Sequence, residues 1–251
     1  MKQVVTSNSA KVEIIAFDIQ TCLDIEAAGA DRIELCADAS SGGTTPSLGT
    51  IQLAQATVHI PVFPMIRPRG GDFLYTAEEF QVMLADIKYC KDLGCAGVVL
   101  GVLDRHGAVD MPRLRRLVEA AYPMQVTFHR AFDHCINPEQ ALEIIIEAGC
   151  TRILSSGQAQ HAMEGVTLLK ELIRLAGDRI VIMPGSGIRP NNILQLAQET
   201  NAKEFHASLR TYKSTTMKHF NPTFPKDDLR QAGINPEEVK ALKAALAQIS
   251  Y

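Results

Sequence analysis

The apolar residues of this chain of 251 residues follow two alternating patterns. Short and nearly continuous apolar runs, such as GVVL at 97–100 and IVIM at 180–183, are typical of strands that are buried on both faces. Longer stretches with apolar residues every three or four positions, such as 138–148, are typical of amphipathic helices. The alternation of these two patterns predicts a series of parallel β/α units.

The junctions between the predicted helices and strands repeat one short phrase. A residue that tolerates the left-handed conformation ends each amphipathic helix just before an apolar run, as a helix C-cap does. These positions are Gly29, Gly94, Gly149, Gly177 and Asn201. Helix starts are marked as clearly, by TAEE at Thr76 and by NPEQ at Asn137, both of which match a capping box.

Eight strands follow from these patterns, over 12–17, 32–36, 62–67, 97–103, 125–130, 152–155, 179–183 and 204–208. A helix can be drawn after each strand, and eight such units predict an α/β fold with a single (β/α)8 TIM barrel. An open doubly wound sheet is the alternative, but its usual G-x-G-x-x-G turn after the first strand is absent from this sequence. We expect one domain over 1–251, with an N-terminal tail over 1–11 and an irregular loop over 211–235 before the last helix.

Composition narrows the choice of partners and location. The formal net charge is −3 at pH 7, so we expect no nucleic-acid partner and no anionic membrane partner. The sequence has neither an apolar run that could span a bilayer nor the apolar centre of a signal peptide at its start, which predicts a cytoplasmic protein. The six cysteines form no C-x-x-C pair, so zinc-ribbon and thioredoxin motifs are absent and most thiols are expected to be buried.

The two-residue period of the strands places polar side chains inside the predicted barrel. Glu34 and Cys36 lie two residues apart and therefore share one face of the second strand. The same reasoning for the other strands gives an inward set of Glu13, Glu34, Cys36, Arg67, His129, Glu204 and His206. Such buried charges must be paired, either as a polar plug that fixes the packing or as acids and bases of an active site. Their positions toward the carboxyl ends of the strands, where barrel sites form, favour the active site.

The loops at the same end of the barrel predict an anionic ligand. Gly185, Ser186 and Gly187 follow the seventh strand and resemble the loop that binds phosphate ahead of a helix in many barrels, although a tight turn without a ligand is as good an explanation. Several arginines lie on the same rim, and a guanidinium group suits carboxylate and phosphate. The candidate ligand-binding residues are Arg67, Arg69, Arg130, Asp133, Ser155, Gly185, Ser186, Gly187 and Ser208.

Longer phrases of the sequence resemble the CutC family, which is known as a family of copper homeostasis proteins. The phrases GADRIELC, GGTTPS, VTFHRAFD, IVIMPGSGI and EFHASLR carry this resemblance from about Val12 to Arg210. It implies a (β/α)8 barrel in the cytoplasm, a homodimer or higher homo-oligomer, and a role in copper homeostasis in which cysteines bind Cu(I). Ile15 replaces the cysteine that the family usually carries on its first strand, whereas Cys36 keeps the cysteine of the second strand.

Two functions are therefore open. In the first, the protein binds copper in or at the mouth of the barrel with Cys36 as candidate ligand, although a soft Cu(I) ion needs two or three sulfur ligands and Ile15 removes one of them. In the second, the protein is an enzyme, or a metabolite-binding protein, that takes a small anionic or phosphorylated ligand. Histidines flanked by acids suit proton transfer near neutral pH. The candidate catalytic residues are Glu13, Glu34, His129 and His206.

Overall fold

A computed structural model describes residues 10–249 and confirms the (β/α)8 barrel. Eight parallel strands lie in two four-stranded sheets, with the orders β3-β2-β1-β8 and β4-β5-β6-β7. A bridge between Met65 and Val99 joins the two sheets on one side, and β7 and β8 lie side by side on the other. The strands are β1 Lys11–Ala16, β2 Arg32–Leu35, β3 Val62–Pro64, β4 Gly97–Leu100, β5 Gln125–Phe128, β6 Arg152–Ser155, β7 Val181–Pro184 and β8 Glu204–Ala207.

A helix follows each strand of the barrel, and the predicted caps define several of the helix ends. Thr76 and Glu79 form both hydrogen bonds of a capping box, and Asn137 accepts a hydrogen bond from the backbone N–H of Gln140. Gly149 ends its helix with φ at 91°, a conformation that an L side chain rarely adopts. The helices are α1 Ile19–Ala27, α2 Leu48–Thr57, α3 Ala77–Asp92, α4 Met111–Ala121, α5 Pro138–Ala148, α6 Val166–Ala176, α7 Ile193–Thr200 and α8 Pro236–Leu246.

The strands separate two apolar regions, as the parity argument predicts. Ile33 and Leu35 point outward into the large core between strands and helices, which we call the outer core. The next residue, Cys36, points inward. It belongs to a small apolar group inside the barrel, which we call the inner cluster and which consists of Ile15, Cys36, Phe63, Met65 and Val99. The barrel interior is thus apolar on one side and polar elsewhere.

The segment 211–235 differs from the irregular loop that the sequence predicts. Its ends pair as an antiparallel hairpin of β9 Arg210–Lys213 and β10 Gln231–Ile234, and a short 3-10 helix lies between them at Lys226–Leu229. Residues 1–9 of the predicted tail lie outside the described residues, and β1 already begins at Lys11. No helix within residues 10–249 is both long and apolar enough to cross a membrane.

Candidate functional site

The lower half of the barrel interior is filled by a network of ion pairs, which we call the floor network and which consists of Glu13, Arg32, Arg152 and Glu204. Arg32 binds Glu13 at 2.5 Å and Glu204 at 2.8 Å, and Arg152 binds Glu204 at 2.6 Å. Both guanidinium groups also lie over the ring of Phe63, at 5.0 and 5.7 Å from its centroid. Two acids and two bases therefore cancel one another's charge within a buried space.

Neither arginine of the floor network was among the predicted inward residues. Arg32 shares the strand face of Glu34, so the two-residue period contained the signal for its position. Arg152 is the first residue of β6. The apolar run alone does not show that the side chain of this first residue points into the barrel. The sequence predicts that the inward charges are paired, and these two arginines are partners that the predicted inward set did not include.

Three of the candidate catalytic residues form a line that leads upward from the floor network, in the order Glu13, His206 and Glu34. The Nδ1 atom of His206 lies 2.8 Å from Glu13 Oε1, and its Nε2 atom lies 3.8 Å from Glu34 Oε2. Burial alone would raise the pKa of Glu13, but Arg32 and His206 outweigh it and lower that pKa to about 2. Burial would likewise lower the pKa of His206, but the two glutamates outweigh it and raise that pKa. The two glutamates therefore favour the protonated form of His206.

Glu34 differs from Glu13 because it has no arginine partner. Burial raises the pKa of its carboxyl to about 7; His206 opposes this rise, and Glu13 adds to it. One oxygen, Oε2, faces His206 and lies 3.8 Å from the Cys36 thiol. The other oxygen, Oε1, is buried and has no hydrogen-bond partner among the residues that the structure describes. Glu34 can therefore gain or lose a proton near neutral pH.

His129 is the fourth candidate catalytic residue, and its ring is held in one orientation. Its Nδ1 atom accepts a hydrogen bond from the backbone N–H of Ala131 at 3.1 Å, at the start of a 3-10 helix over Arg130–His134. Burial and, to a smaller extent, the charge of Arg67 together lower the pKa of His129 to about 3. The ring is therefore neutral, with its proton on Nε2. That atom is buried and unpartnered within the described part of the chain.

Glu34, His206 and His129 line one cavity of about 250 Å³ at the carboxyl ends of the strands, which we call the mouth cavity. Arg67 and Arg210 line it as well. Each of them binds backbone carbonyl groups, and neither has a carboxylate within ion-pair distance among residues 10–249. The Nε atoms of both are buried without a hydrogen-bond partner. The cavity thus carries two positive charges that the protein does not neutralise.

The structure brings part of the predicted ligand-binding set to the mouth cavity. Those that line it are Arg67, Arg130, Ser186, Gly187 and Ser208. Arg69 lies outside the cavity, since its guanidinium is paired with Glu79 at 2.6 Å. Asp133 and Ser155 bind each other at 2.6 Å, and Asp133 also holds Arg130 at 2.7 Å, so these two residues position the rim.

The loop after β7 lines the mouth cavity with Ser186 and Gly187, but it does not lead directly into a helix as the predicted phosphate-binding loop would. Helix α7 begins only at Ile193, so no helix N-terminus directly follows Gly187. Gly185 has a different use. A Cβ atom at this position would overlap Leu154 Cδ1 and would lie 3.3 Å from Cβ of His206, so the glycine leaves room mainly for Leu154 and also for the histidine. Arg210, which the sequence analysis missed, lies just beyond β8 at the start of the hairpin.

Cys36 lies beside the mouth cavity but does not line it. Its thiol is packed in the inner cluster, and a Cβ atom at Gly43 would approach the sulfur to 2.9 Å. Burial, followed by the nearby charge of Glu34, raises the pKa of this thiol well above its ordinary value. The other cysteines, Cys22, Cys90, Cys95, Cys135 and Cys150, all belong to the outer core. No second thiol therefore lies near Cys36 in the part of the chain described.

Glu13, Glu34 and His206 also have the geometry of a possible metal site, since one ligand atom from each lies within 4.8 Å of the others. However, both oxygens of Glu13 are already occupied, one by Arg32 and one by His206. A cation would have to displace these partners and would lie near the unneutralised charges of Arg67 and Arg210. These three residues therefore fit a divalent cation poorly.

The fold and the mouth cavity define the molecule as a (β/α)8 barrel with a polar site at the usual end for such barrels. The family model for the CutC family matches residues 10–211, and the chain belongs to this family. It is 52% identical over 215 residues to a family protein CutC of Parabacteroides distasonis, covering 85% of this chain and 88% of that protein.

Two further comparisons agree with this assignment. The human copper homeostasis protein cutC homolog is 44% identical over 215 residues, which cover 86% of this chain and 79% of the human protein. The crystal structure of the copper homeostasis protein CutC from Streptococcus agalactiae superposes with a TM-score of 0.76 at 32% identity. That superposition covers 79% of this chain and 98% of the other. The predicted family and fold are thereby confirmed.

The substitution Glu204→Gln tests the floor network. It would leave Arg152 without a charged partner in a buried space and Arg32 with Glu13 alone, so we expect a loss of unfolding free energy on the order of 3 kcal/mol. Urea unfolding followed by circular dichroism measures this loss. The control is Glu143→Gln, which removes an exposed ion pair with Arg179 and should barely move the urea midpoint. Equal effects of the two substitutions would contradict the structural role of the network.

Proposed function

We propose that the mouth cavity binds a small anionic metabolite and carries out acid–base chemistry on it. One observation supports this proposal above all. Four residues that line the cavity each have a polar atom that is buried without a hydrogen-bond partner among the described residues, namely Glu34 Oε1, His129 Nε2, Arg67 Nε and Arg210 Nε. Unsatisfied buried polar groups are rare in proteins because each costs about 1–3 kcal/mol, so four around one cavity point to a ligand.

Charge and size define the class of ligand. Arg67 and Arg210 supply positive charge without a carboxylate partner, and their free Nε–H groups suit the oxygens of a carboxylate or phosphate. The volume of about 250 Å³ lies below the usual range of sites for drug-sized ligands. Phe73 also lines the cavity, with its ring 4.9 Å from that of His129. The proposed ligand is therefore a compact anion.

The ionisation of the site supports catalysis in addition to binding. A general acid or base works best when its pKa lies close to the working pH, and the pKa of Glu34 is about 7. His206 is fixed by Glu13 and lies 3.8 Å from Glu34 Oε2, so the protonation of Glu34 is linked to that of His206. A protein that only binds an anion has no need of such a carboxyl group beside its arginines.

The substitution Arg210→Met tests the anion site, and Arg69→Met is its matched control on the same rim. Hydrogen bonds to charged groups contribute about 1.5–3 kcal/mol, so Arg210→Met should weaken binding of inorganic phosphate and 2-oxobutyrate about tenfold or more. Arg69→Met should leave the affinity unchanged, because Arg69 is paired outside the cavity. Isothermal titration calorimetry measures both. The proposal is wrong if the two substitutions act alike or if neither anion binds the wild type.

Copper homeostasis is the second candidate function, and the inner cluster supports it. Cys36 lies next to Met65 there, so a thiolate and a thioether are available to a soft Cu(I) ion. Both residues lie close to Gly43, which leaves the space that a side chain would fill. The six cysteines are free and buried, which suits a reducing compartment such as the cytoplasm. The human and streptococcal relatives carry copper homeostasis in their names.

A competition titration with a Cu(I) chelator on the fully reduced protein tests the copper site. If Cys36 is a ligand, Cys36→Ser lowers the affinity for Cu(I) at least about tenfold, since a hydroxyl is a poor ligand for a soft ion. Cys22→Ser is the control, because Cys22 is an equally buried thiol in the outer core. The copper candidate is excluded if the wild type does not compete with the chelator, or if both variants bind as it does.

A further inference from the structure

We infer that the chemistry of the mouth cavity is proton transfer at a carbon next to a carbonyl group, with Glu34 as the base and His129 as hydrogen-bond donor to the carbonyl oxygen. This inference rests on the proposed function and deepens it. It assigns a substrate class, namely a small anionic compound whose carbonyl group carries an acidic C–H on the neighbouring carbon.

The role of His129 follows from its hydrogen bonds. Since the backbone N–H of Ala131 occupies Nδ1, the single ring proton lies on Nε2, and the ring cannot act as a base through that atom. The Nε2–H group is buried and has no hydrogen-bond partner among residues 10–249, and it belongs to a residue that lines the mouth cavity. A neutral imidazole in this state is a fixed donor that can polarise a carbonyl group and stabilise the enolate oxygen formed from it.

The role of Glu34 follows from the difference between its two oxygens. Oε2 faces His206 and the Cys36 thiol, each at 3.8 Å, whereas Oε1 has no partner among residues 10–249 and belongs to a residue that lines the cavity. Glu13 cannot take this role, because Arg32 and His206 occupy both of its oxygens. The cavity thus offers one free acceptor and one free neutral donor, which is the pair that enolisation requires.

The balance of the step needs no further reagent. The C–H bond breaks, its proton passes to Glu34 Oε1, and its electron pair forms a carbon–carbon double bond. The π electrons of the carbonyl group move onto its oxygen, which accepts a hydrogen bond from His129 Nε2–H. Return of the proton to the same carbon gives hydrogen exchange with the solvent. In a hydroxycarbonyl compound, return of the proton to the former carbonyl carbon, together with transfer of the hydroxyl proton, gives an isomer.

Other reaction classes lack the residues they need. The lining of the mouth cavity contains no lysine for a Schiff base and no cysteine as nucleophile among the residues described. Hydrolysis by two carboxyl groups requires a second free acid, but Glu34 is the only acidic residue of the lining within residues 10–249. Arg67 and Arg210 then hold the carboxylate or phosphate of the substrate, and the volume allows a chain on the order of three to six carbons.

The experiment measures hydrogen–deuterium exchange in D2O by proton NMR, with the full chain and four probes. The probes are 2-oxobutyrate, oxaloacetate, dihydroxyacetone phosphate and ribose 5-phosphate, each compared with a blank without protein. We expect exchange of at least one probe at ten times the blank rate or more. The rate should rise with pH through about 7, because the base must be deprotonated and the pKa of Glu34 is about 7.

Variants separate chemistry from binding. Glu34→Gln should lower the exchange rate about a hundredfold or more while the probe still binds, and Glu34→Asp, which keeps the acid, should restore part of it. His129→Gln should lower the rate by a comparable factor. Arg69→Gln changes a residue outside the cavity, so the exchange rate of the probe should equal that of the wild type. Thermal unfolding shows whether each variant is folded. If Glu34→Gln is not folded, the exchange rate of Glu34→Asp is compared with that of the wild type instead.

The outcomes distinguish this inference from the proposed function. If probes bind in a manner that depends on Arg210 but none exchanges above the blank, the enolisation chemistry is overturned and the anion site stands. If exchange occurs but survives Glu34→Gln unchanged, the assignment of the base is overturned. If no probe binds or exchanges, both proposals fail together.

Discussion

The interaction on which the rest of this barrel depends is the buried floor network of Glu13, Arg32, Arg152 and Glu204. Charges inside a protein are tolerated only when they are paired, and here two carboxylates and two guanidinium groups satisfy one another below the cavity. The same pairing fixes Glu13 as an anion, and this anion orients His206 through Nδ1. The floor network therefore both closes the lower barrel and determines the ionisation of the level above it.

The polar groups above the floor network differ from it because some of their hydrogen-bonding atoms and charges have no partner among the described residues. Glu34 has no arginine, so burial keeps its pKa near 7, and His129 is held neutral with an unused N–H group. Arg67 and Arg210 add positive charge that no carboxylate of the described chain offsets. A structural plug would satisfy these atoms internally, as the floor network does. The contrast between a satisfied floor and an unsatisfied mouth is the reason for assigning an anionic ligand to the cavity.

Much of this arrangement could be predicted from the sequence, since a strand has a fixed period of two. That period placed Glu13, Glu34, Cys36, His129 and His206 inside the barrel, and all of them are buried there. Pairing in three dimensions could not be predicted. Arg69 lies only two residues after Arg67, but its guanidinium is paired with Glu79. Arg210 reaches the cavity because 210–213 pairs with residues 231–234. These contacts join distant segments, and no local pattern contains them.

The protonation of His129 connects the structure to its proposed chemistry, and it can be measured directly. Nitrogen-15 NMR of the histidine rings, with His129→Gln to assign the signal, reports both the charge and the protonated nitrogen. The structure predicts a neutral ring with its proton on Nε2 throughout pH 5 to 8, because burial and the charge of Arg67 hold its pKa at about 3. A ring that becomes cationic within this range, or that carries its proton on Nδ1, would contradict the account.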